Sequence, residues 1–65
     1  MWDRLPSVAV DEDGSEHIFE MFPERTEYGT WDMNAVASYI HLPPGTIKKL
    51  IGRELSWQDE PVVLK

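Results

Sequence analysis

This 65-residue chain contains no cysteine, so neither disulfides nor a thiolate metal site can stabilise its fold. A domain of this size buries only about 60% of the surface that its unfolded chain exposes, which leaves a thin core and little room for a deep catalytic cleft. With 42% hydrophobic and 28% charged residues, the composition is that of a globular chain. We therefore expect one small domain over residues 1–65, stabilised by packing or by association with a partner, a homodimer included.

The formal net charge of −6 is unevenly distributed along the chain. Residues 1–32 carry nine acids and two bases, whereas residues 33–65 carry four bases and three acids. An acidic average argues against nucleic acid as a partner, because phosphate contacts depend on Lys and Arg, but the second half is slightly basic. The first twenty residues contain no apolar run long enough for a signal peptide or a membrane span, so we expect a cytoplasmic protein without a membrane contact.

Residues 7–22 are predicted to form a β-hairpin around Asp13-Gly14, the dipeptide that a two-residue type I′ turn prefers because both central residues need positive φ. In that register the two valines of the first strand lie opposite aromatic residues, Val10 opposite His17 and Val8 opposite Phe19. The buried face of the hairpin would then consist of Val8, Val10, Phe19 and Met21.

The second half of this segment also fits a short helix. Ser15 is a suitable N-cap, and a helix ending at Pro23 would align four apolar residues: Ile18, Phe19, Met21 and Phe22. We prefer the hairpin.

Residues 32–55 carry the pattern of two amphipathic helices joined by a short turn. Asp32 is a suitable N-cap for the first helix, whose apolar stripe would be Met33, Val36, Ala37 and Ile40. Pro43-Pro44-Gly45 then interrupts the chain, and the second helix would bury Ile47, Leu50, Ile51 and Leu55. The short β-branched segment 61–64 predicts a strand that pairs with the hairpin.

Together these elements predict an α+β domain, in which a helix-turn-helix packs on a two- or three-stranded antiparallel sheet made of the N-terminal hairpin and the C-terminal strand. Residues 36–51, VASYIHLPPGTIKKLI, resemble the helix-turn-helix of excisionase and MerR-like regulators, with the small Ala37 where the helices cross and Gly52-Arg53-Glu54-Leu55 as the segment that ends the second helix. The resemblance implies a DNA-binding accessory or transcriptional regulator of the kind that phages and mobile elements encode.

The same resemblance implies which residues contact duplex DNA. Lys48, Lys49 and Arg53 would contact phosphates or base edges. Thr46 lies near the start of the second helix, where base contacts concentrate, and His41 would touch the DNA backbone.

The acidic half of the chain predicts a different function, that of a small protein which binds a host protein and inhibits or adapts it. Such an acidic surface docks on a basic protein or imitates nucleic acid. The candidate contacts are four acids and two aromatic anchors: Asp11, Glu12, Asp13, Glu16, Trp2 and Trp57.

The sequence does not indicate a catalytic or metal site. The acidic run at Asp11 approaches the spacing of a calcium loop, but Ala9 occupies the first ligand position. His17 and His41 lack the partner spacing of a zinc site, and there is no nucleophile elbow or Gly-rich phosphate loop. We expect no metal, no cofactor and no enzymatic activity.

Overall fold

The computed structural model describes residues 5–33 and 38–64. In these residues the chain forms six short strands and one helix, in the order β1 (Ser7–Val10), β2 (Glu16–Phe19), β3 (Glu24–Arg25), β4 (Trp31–Asp32), β5 (Tyr39–Leu42), α1 (Thr46–Ile51) and β6 (Val62–Val63). Four strands make an antiparallel sheet in the order β5-β2-β1-β6, and β3 and β4 make a separate antiparallel pair. No helix within the described residues has the length and apolar character needed to cross a bilayer.

The turn between β1 and β2 has three residues in its loop, not two. The N–H of Gly14 donates to the carbonyl of Asp11, and the N–H of Asp11 donates to the carbonyl of Ser15, both at 2.9 Å. Gly14 has φ of 91°, whereas Asp13 keeps a negative φ, so the pair does not form a type I′ turn. A type I turn followed by a left-handed glycine gives this three-residue loop.

The extra loop residue moves the strand register by one position from the predicted one. Val8 lies opposite Ile18, and Ala9 lies opposite His17. Because side chains alternate between the two faces of a strand, a slip of one residue exchanges the faces. The prediction that Val8, Val10, Phe19 and Met21 share one buried face is therefore wrong.

Each face of the sheet has its own apolar cluster. On the first, which we call the helix face, Val8 and Val10 pack against Ile47 of α1. On the second, which we call the aromatic face, Ala9 and Phe19 pack against Trp31 of β4. The aromatic face also carries two ring pairs between β2 and β5, Phe19 with Tyr39 and His17 with His41.

The α+β fold with a helix-turn-helix over residues 32–55 is wrong. Tyr39–Leu42 forms the edge strand β5, where the first helix was expected, and α1 is confined to Thr46–Ile51. The aromatic and branched residues of this segment favour a strand, and Leu42 precedes proline, which disfavours helical backbone. Pairing with β2 then outweighs the helical spacing of the apolar residues. Ala37, where the helices were expected to cross, and Val36 of the same apolar stripe lie outside the described residues.

The helix α1 is also shorter than its apolar pattern predicts. Gly52 adopts φ of 80° and donates its N–H to the carbonyl of Lys48, which ends the helix one turn before Leu55. Ile47 is the helix residue that becomes buried, at 1% exposure, whereas Leu50 remains 50% exposed. Leu55 still packs against the helix-face cluster, but it does so from the loop that follows the helix.

The unequal burial of Ile47 and Leu50 separates this fold from a helix-turn-helix, in which both would be buried. Ile47→Ala should cost about 2–5 kcal/mol, since it leaves a cavity beneath the helix. Leu50→Ala, on the same helix, should cost less than about 1 kcal/mol. Urea denaturation followed by far-UV circular dichroism measures both, and equal losses would contradict the packing described here.

Candidate protein-binding groove

An open groove of about 530 Å³ lies between the β1–β2 turn, the start of α1 and residues 54–58. Its lining combines four carboxylates and one lysine with four apolar side chains. The charged residues are Asp11, Glu12, Glu16, Glu54 and Lys48, and the apolar ones are Val10, Ile47, Leu55 and Trp57. We call this feature the acidic groove. Four of the six residues predicted from the sequence to bind a protein line it: Asp11, Glu12, Glu16 and Trp57.

Glu16 lines the groove, and its carboxylate also stabilises the start of α1. Its carboxylate accepts the N–H of Gly45 at 2.8 Å and the N–H of Ile47 at 2.9 Å. The N-cap residue of α1 is Gly45, which has no side chain to satisfy these donors. Glu16 lies on the helix face beside Val10 and Leu42, so the register brings its carboxylate to the helix start. A carboxylate there is favourable, because the first N–H groups of a helix lack intrahelical partners.

Asp11 connects the first hairpin, formed by β1 and β2, to the second hairpin, formed by β3 and β4. One carboxylate oxygen accepts the N–H of Trp31 at 3.1 Å. The other lies 3.7 Å from Nδ1 of His17, which is longer than a hydrogen bond. Both side chains are mostly covered, at 14% and 15% exposure. Asp11 therefore positions the β3–β4 hairpin as well as contributing charge to the groove.

Asp13 stabilises its own turn and does not line the acidic groove. Its carboxylate accepts the N–H of Ser15 at 2.9 Å. Hydrogen bonds from the backbone and then the side chain of Ser15 lower the pKa of Asp13 below its ordinary value. The residue faces a neighbouring depression that also includes His41 and Pro43.

Glu12 and Glu54 are the exposed carboxylates of the groove. Glu12 is fixed through its backbone, because its N–H donates to the carbonyl of Gly29 at 2.9 Å. Glu54 follows the end of α1, and the guanidinium of Arg53 lies 3.5 Å from its backbone carbonyl. These two side chains are therefore the acids best placed to meet a partner.

Trp57 is held in place by Arg25, a residue that the sequence did not single out. The guanidinium of Arg25 lies 4.8 Å from the ring centroids of both Trp31 and Trp57 and donates to the carbonyl of Trp57 at 2.6 Å. The two indoles meet edge to face at 5.5 Å. This arrangement joins residues 54–58 to the second hairpin. Trp2, the other predicted anchor, lies outside the described residues.

The residues predicted to contact DNA do not share one surface. Lys48 and Lys49 are exposed in the last turn of α1, and Arg53 is exposed just beyond it. The hydroxyl of Thr46 donates to the carbonyl of Pro43 at 2.7 Å. His41 lies on the aromatic face, opposite to α1, and stacks on His17 with ring centroids 4.9 Å apart. The described residues contain no group of three or more potential metal ligands.

The chain matches no protein-family model, no curated protein and no solved structure. The resemblance to excisionase and MerR-like regulators stays a prediction. The helix-turn-helix that carried this resemblance is replaced by β5 and α1.

The two roles of carboxylates in the groove can be separated by matched substitutions. Glu16→Gln leaves one acceptor oxygen for two N–H donors and removes the charge, so it should cost about 1–3 kcal/mol of unfolding free energy. Glu12→Gln makes the same charge change at an exposed side chain and should stay within about 0.5 kcal/mol. Chemical denaturation measures both, and similar losses would show that Glu16 does not cap the helix.

The lowered pKa of Asp13 predicts how the turn responds to acid. A carboxyl group with a lower pKa in the folded chain stabilises the fold above its ordinary pKa, and this contribution is lost as pH falls through the folded-state pKa. Asp13→Asn keeps an oxygen that accepts from Ser15 but does not titrate. The stability advantage of the native chain over this variant should therefore shrink from neutral pH into acid. Urea denaturation at a series of pH values tests this, and a constant difference would contradict it.

Proposed function

We propose that this chain is a small protein-binding domain whose acidic groove receives a basic segment of a partner protein. It would inhibit or adapt that partner in the cytoplasm. The observation that carries the proposal is the acidic groove itself, whose lining brings carboxylates and apolar side chains together. The net charge of −6 favours the same class of partner, since it draws basic surfaces toward the chain over distances of about a Debye length.

Arginine and lysine side chains suit such a groove in two ways. Their alkyl stems pack on apolar surface while their charged heads reach polar groups. Here Leu55 and Trp57 would contact the stem, and the exposed carboxylates of Glu12 and Glu54 would bind the head. The guanidinium of Arg25 lies 4.8 Å from the centroid of the Trp57 ring and holds this indole in position beside the groove.

The test uses a labelled oligoarginine peptide as the probe and two double variants with the same change in net charge. Glu12→Gln with Glu54→Gln neutralises the exposed acids of the groove. Glu27→Gln with Glu60→Gln neutralises two exposed acids that do not line it. At about 0.15 M ionic strength, where distant charges are screened, the first pair should weaken binding about tenfold or more and the second by less than about twofold. Fluorescence anisotropy measures both.

Equal losses in the two double variants would mean that only net charge attracts the peptide, and the groove would not be the binding site. Far-UV circular dichroism checks that each variant is folded. Both double variants leave Asp11 and Glu16 unchanged, because the carboxylates of these two residues accept backbone N–H groups and are needed by the fold.

Duplex DNA is the second candidate partner, and the exposure of Lys48 and Lys49 on α1 favours it. The same variants distinguish the two candidates. Removing the charges of Glu12 and Glu54 weakens binding of a basic peptide but reduces repulsion from phosphate, so DNA binding would tighten, most strongly at low salt. Lys48→Glu with Lys49→Glu has the opposite effects. It should abolish DNA binding and strengthen binding of the peptide, since Lys48 lines the groove.

A further inference from the structure

β5 forms one edge of the four-stranded sheet, and among the described residues no strand pairs with its outer side. Three of its four residues are exposed: Tyr39 at 61%, Ile40 at 53%, and His41. An open strand edge offers unpaired backbone donors and acceptors to another strand. This edge is distinct from the acidic groove, which lies beside the β1–β2 turn and α1.

The register of β5 on β2 determines which backbone groups face outward. The N–H of Glu20 donates to the carbonyl of Ser38, so Ser38 is in a hydrogen-bonding position toward β2. In an antiparallel ladder these positions alternate, so Ile40 and Leu42 also turn their backbone groups toward β2. Tyr39 and His41 consequently direct their N–H and carbonyl groups away from the sheet.

The features that usually protect an edge strand are absent from β5. Natural sheets shorten their edge strands, or place Lys, other charged residues or Pro on them. The opposite edge follows this rule, since β6 has two residues and comes directly after Pro61. β5 has four residues, and its sequence Tyr-Ile-His-Leu contains no Lys, Asp, Glu or Pro.

Charge favours a second copy of this chain as the occupant of the edge. Two chains of net charge −6 repel each other, so they approach at least cost where charge is lacking. Residues 33–47, which include β5, contain no Asp, Glu, Lys or Arg. The nearby acids, Glu16 at the start of β2 and Glu20 just after its end, already accept backbone N–H groups of their own chain.

We propose that two copies of this chain pair antiparallel through β5, about a two-fold axis at Ile40, to form a continuous eight-stranded sheet. In an antiparallel pair, residues directly opposite each other share a face of the sheet. A two-fold axis must therefore lie midway between one residue and the same residue of the second copy. With Ile40 at the axis, Tyr39 lies opposite His41 of the second copy, and all the outward groups of both residues are used in four hydrogen bonds. With His41 at the axis, Tyr39 would lie opposite Pro43, which has no N–H to donate.

Side chains also fit the Ile40 register. Ile40 packs on Ile40 of the second copy across the axis. On the aromatic face, the ring pair of Phe19 and Tyr39 continues into the pair of His41 and His17 of the second copy, giving a row of four rings across the interface. Aromatic pairs across strands stabilise sheets, so this row supports the same register as the backbone.

The mass in solution tests the dimer, and charge at the axis tests the register. Sedimentation equilibrium of the native chain over a range of concentrations should show twice the chain mass at the upper end. Ile40→Glu places two carboxylates opposite each other at the axis, and Ile40→Lys places two ammonium groups there, so each variant alone should lose at least about tenfold in the dimerisation constant. An equimolar mixture of the two should recover the dimer, because opposite charges then face each other.

A backbone substitution gives an independent readout. His41→Pro removes an outward N–H without removing a bond of the β2–β5 ladder, so it should abolish the dimer while the chain remains folded by circular dichroism. His41→Ala loses the same imidazole but keeps the N–H, and it should still dimerise. A native chain that stays monomeric overturns the proposal and leaves the edge to a strand of another protein. A mixture of the Ile40 variants that stays monomeric overturns the pairing at Ile40.

Discussion

β1 is buried along its whole length, and its two faces determine where the other elements lie. Val8 and Val10 direct branched side chains to one face, where Ile47 of α1 covers them. Ala9 is small enough for the Trp31 indole to pack on the other face, and the indole N–H donates to the carbonyl of Val10 at 2.8 Å. A chain of 65 residues can bury few strands in this way. A helix on one side and a two-stranded hairpin on the other therefore supply the cover that a larger protein would obtain from whole layers.

The acids near the β1–β2 turn show how the same residue type divides between structure and surface. The carboxylates of Asp11, Asp13 and Glu16 each accept a backbone N–H, and together they fix the second hairpin, the turn and the start of α1. Glu12 and Glu54 make the groove acidic at exposed positions. The negative half of the sequence is thus partly a hydrogen-bonding framework, because the N-cap residue of α1 is a glycine and supplies no side-chain hydrogen bond.

Local chemistry in the sequence indicated where the chain turns, but not how the strands align. Asp13-Gly14 marked the position of the turn. Whether the loop has two or three residues decides which face each side chain of the strand takes, and this loop length depends on backbone angles that the dipeptide alone does not determine. The apolar spacing that ends at Ile40 is compatible with a helix, and the weak local preference of Tyr39–Leu42 for a strand becomes decisive through pairing with β2, which is distant in sequence. Four groove residues could be named from charge and aromaticity. The role of Arg25 could not, because Trp31 and Trp57 meet it from separate parts of the chain.

The two indoles beside Arg25 give the molecule an optical signature of its tertiary structure. Their rings are 5.5 Å apart and tilted by 65°, close enough for their electronic transitions to couple and produce a paired circular dichroism band. Trp31 belongs to the second hairpin, whereas Trp57 belongs to the loop beside the groove. The coupled band therefore exists only while these two parts are in contact, and it would disappear on local separation even if the central sheet remained intact.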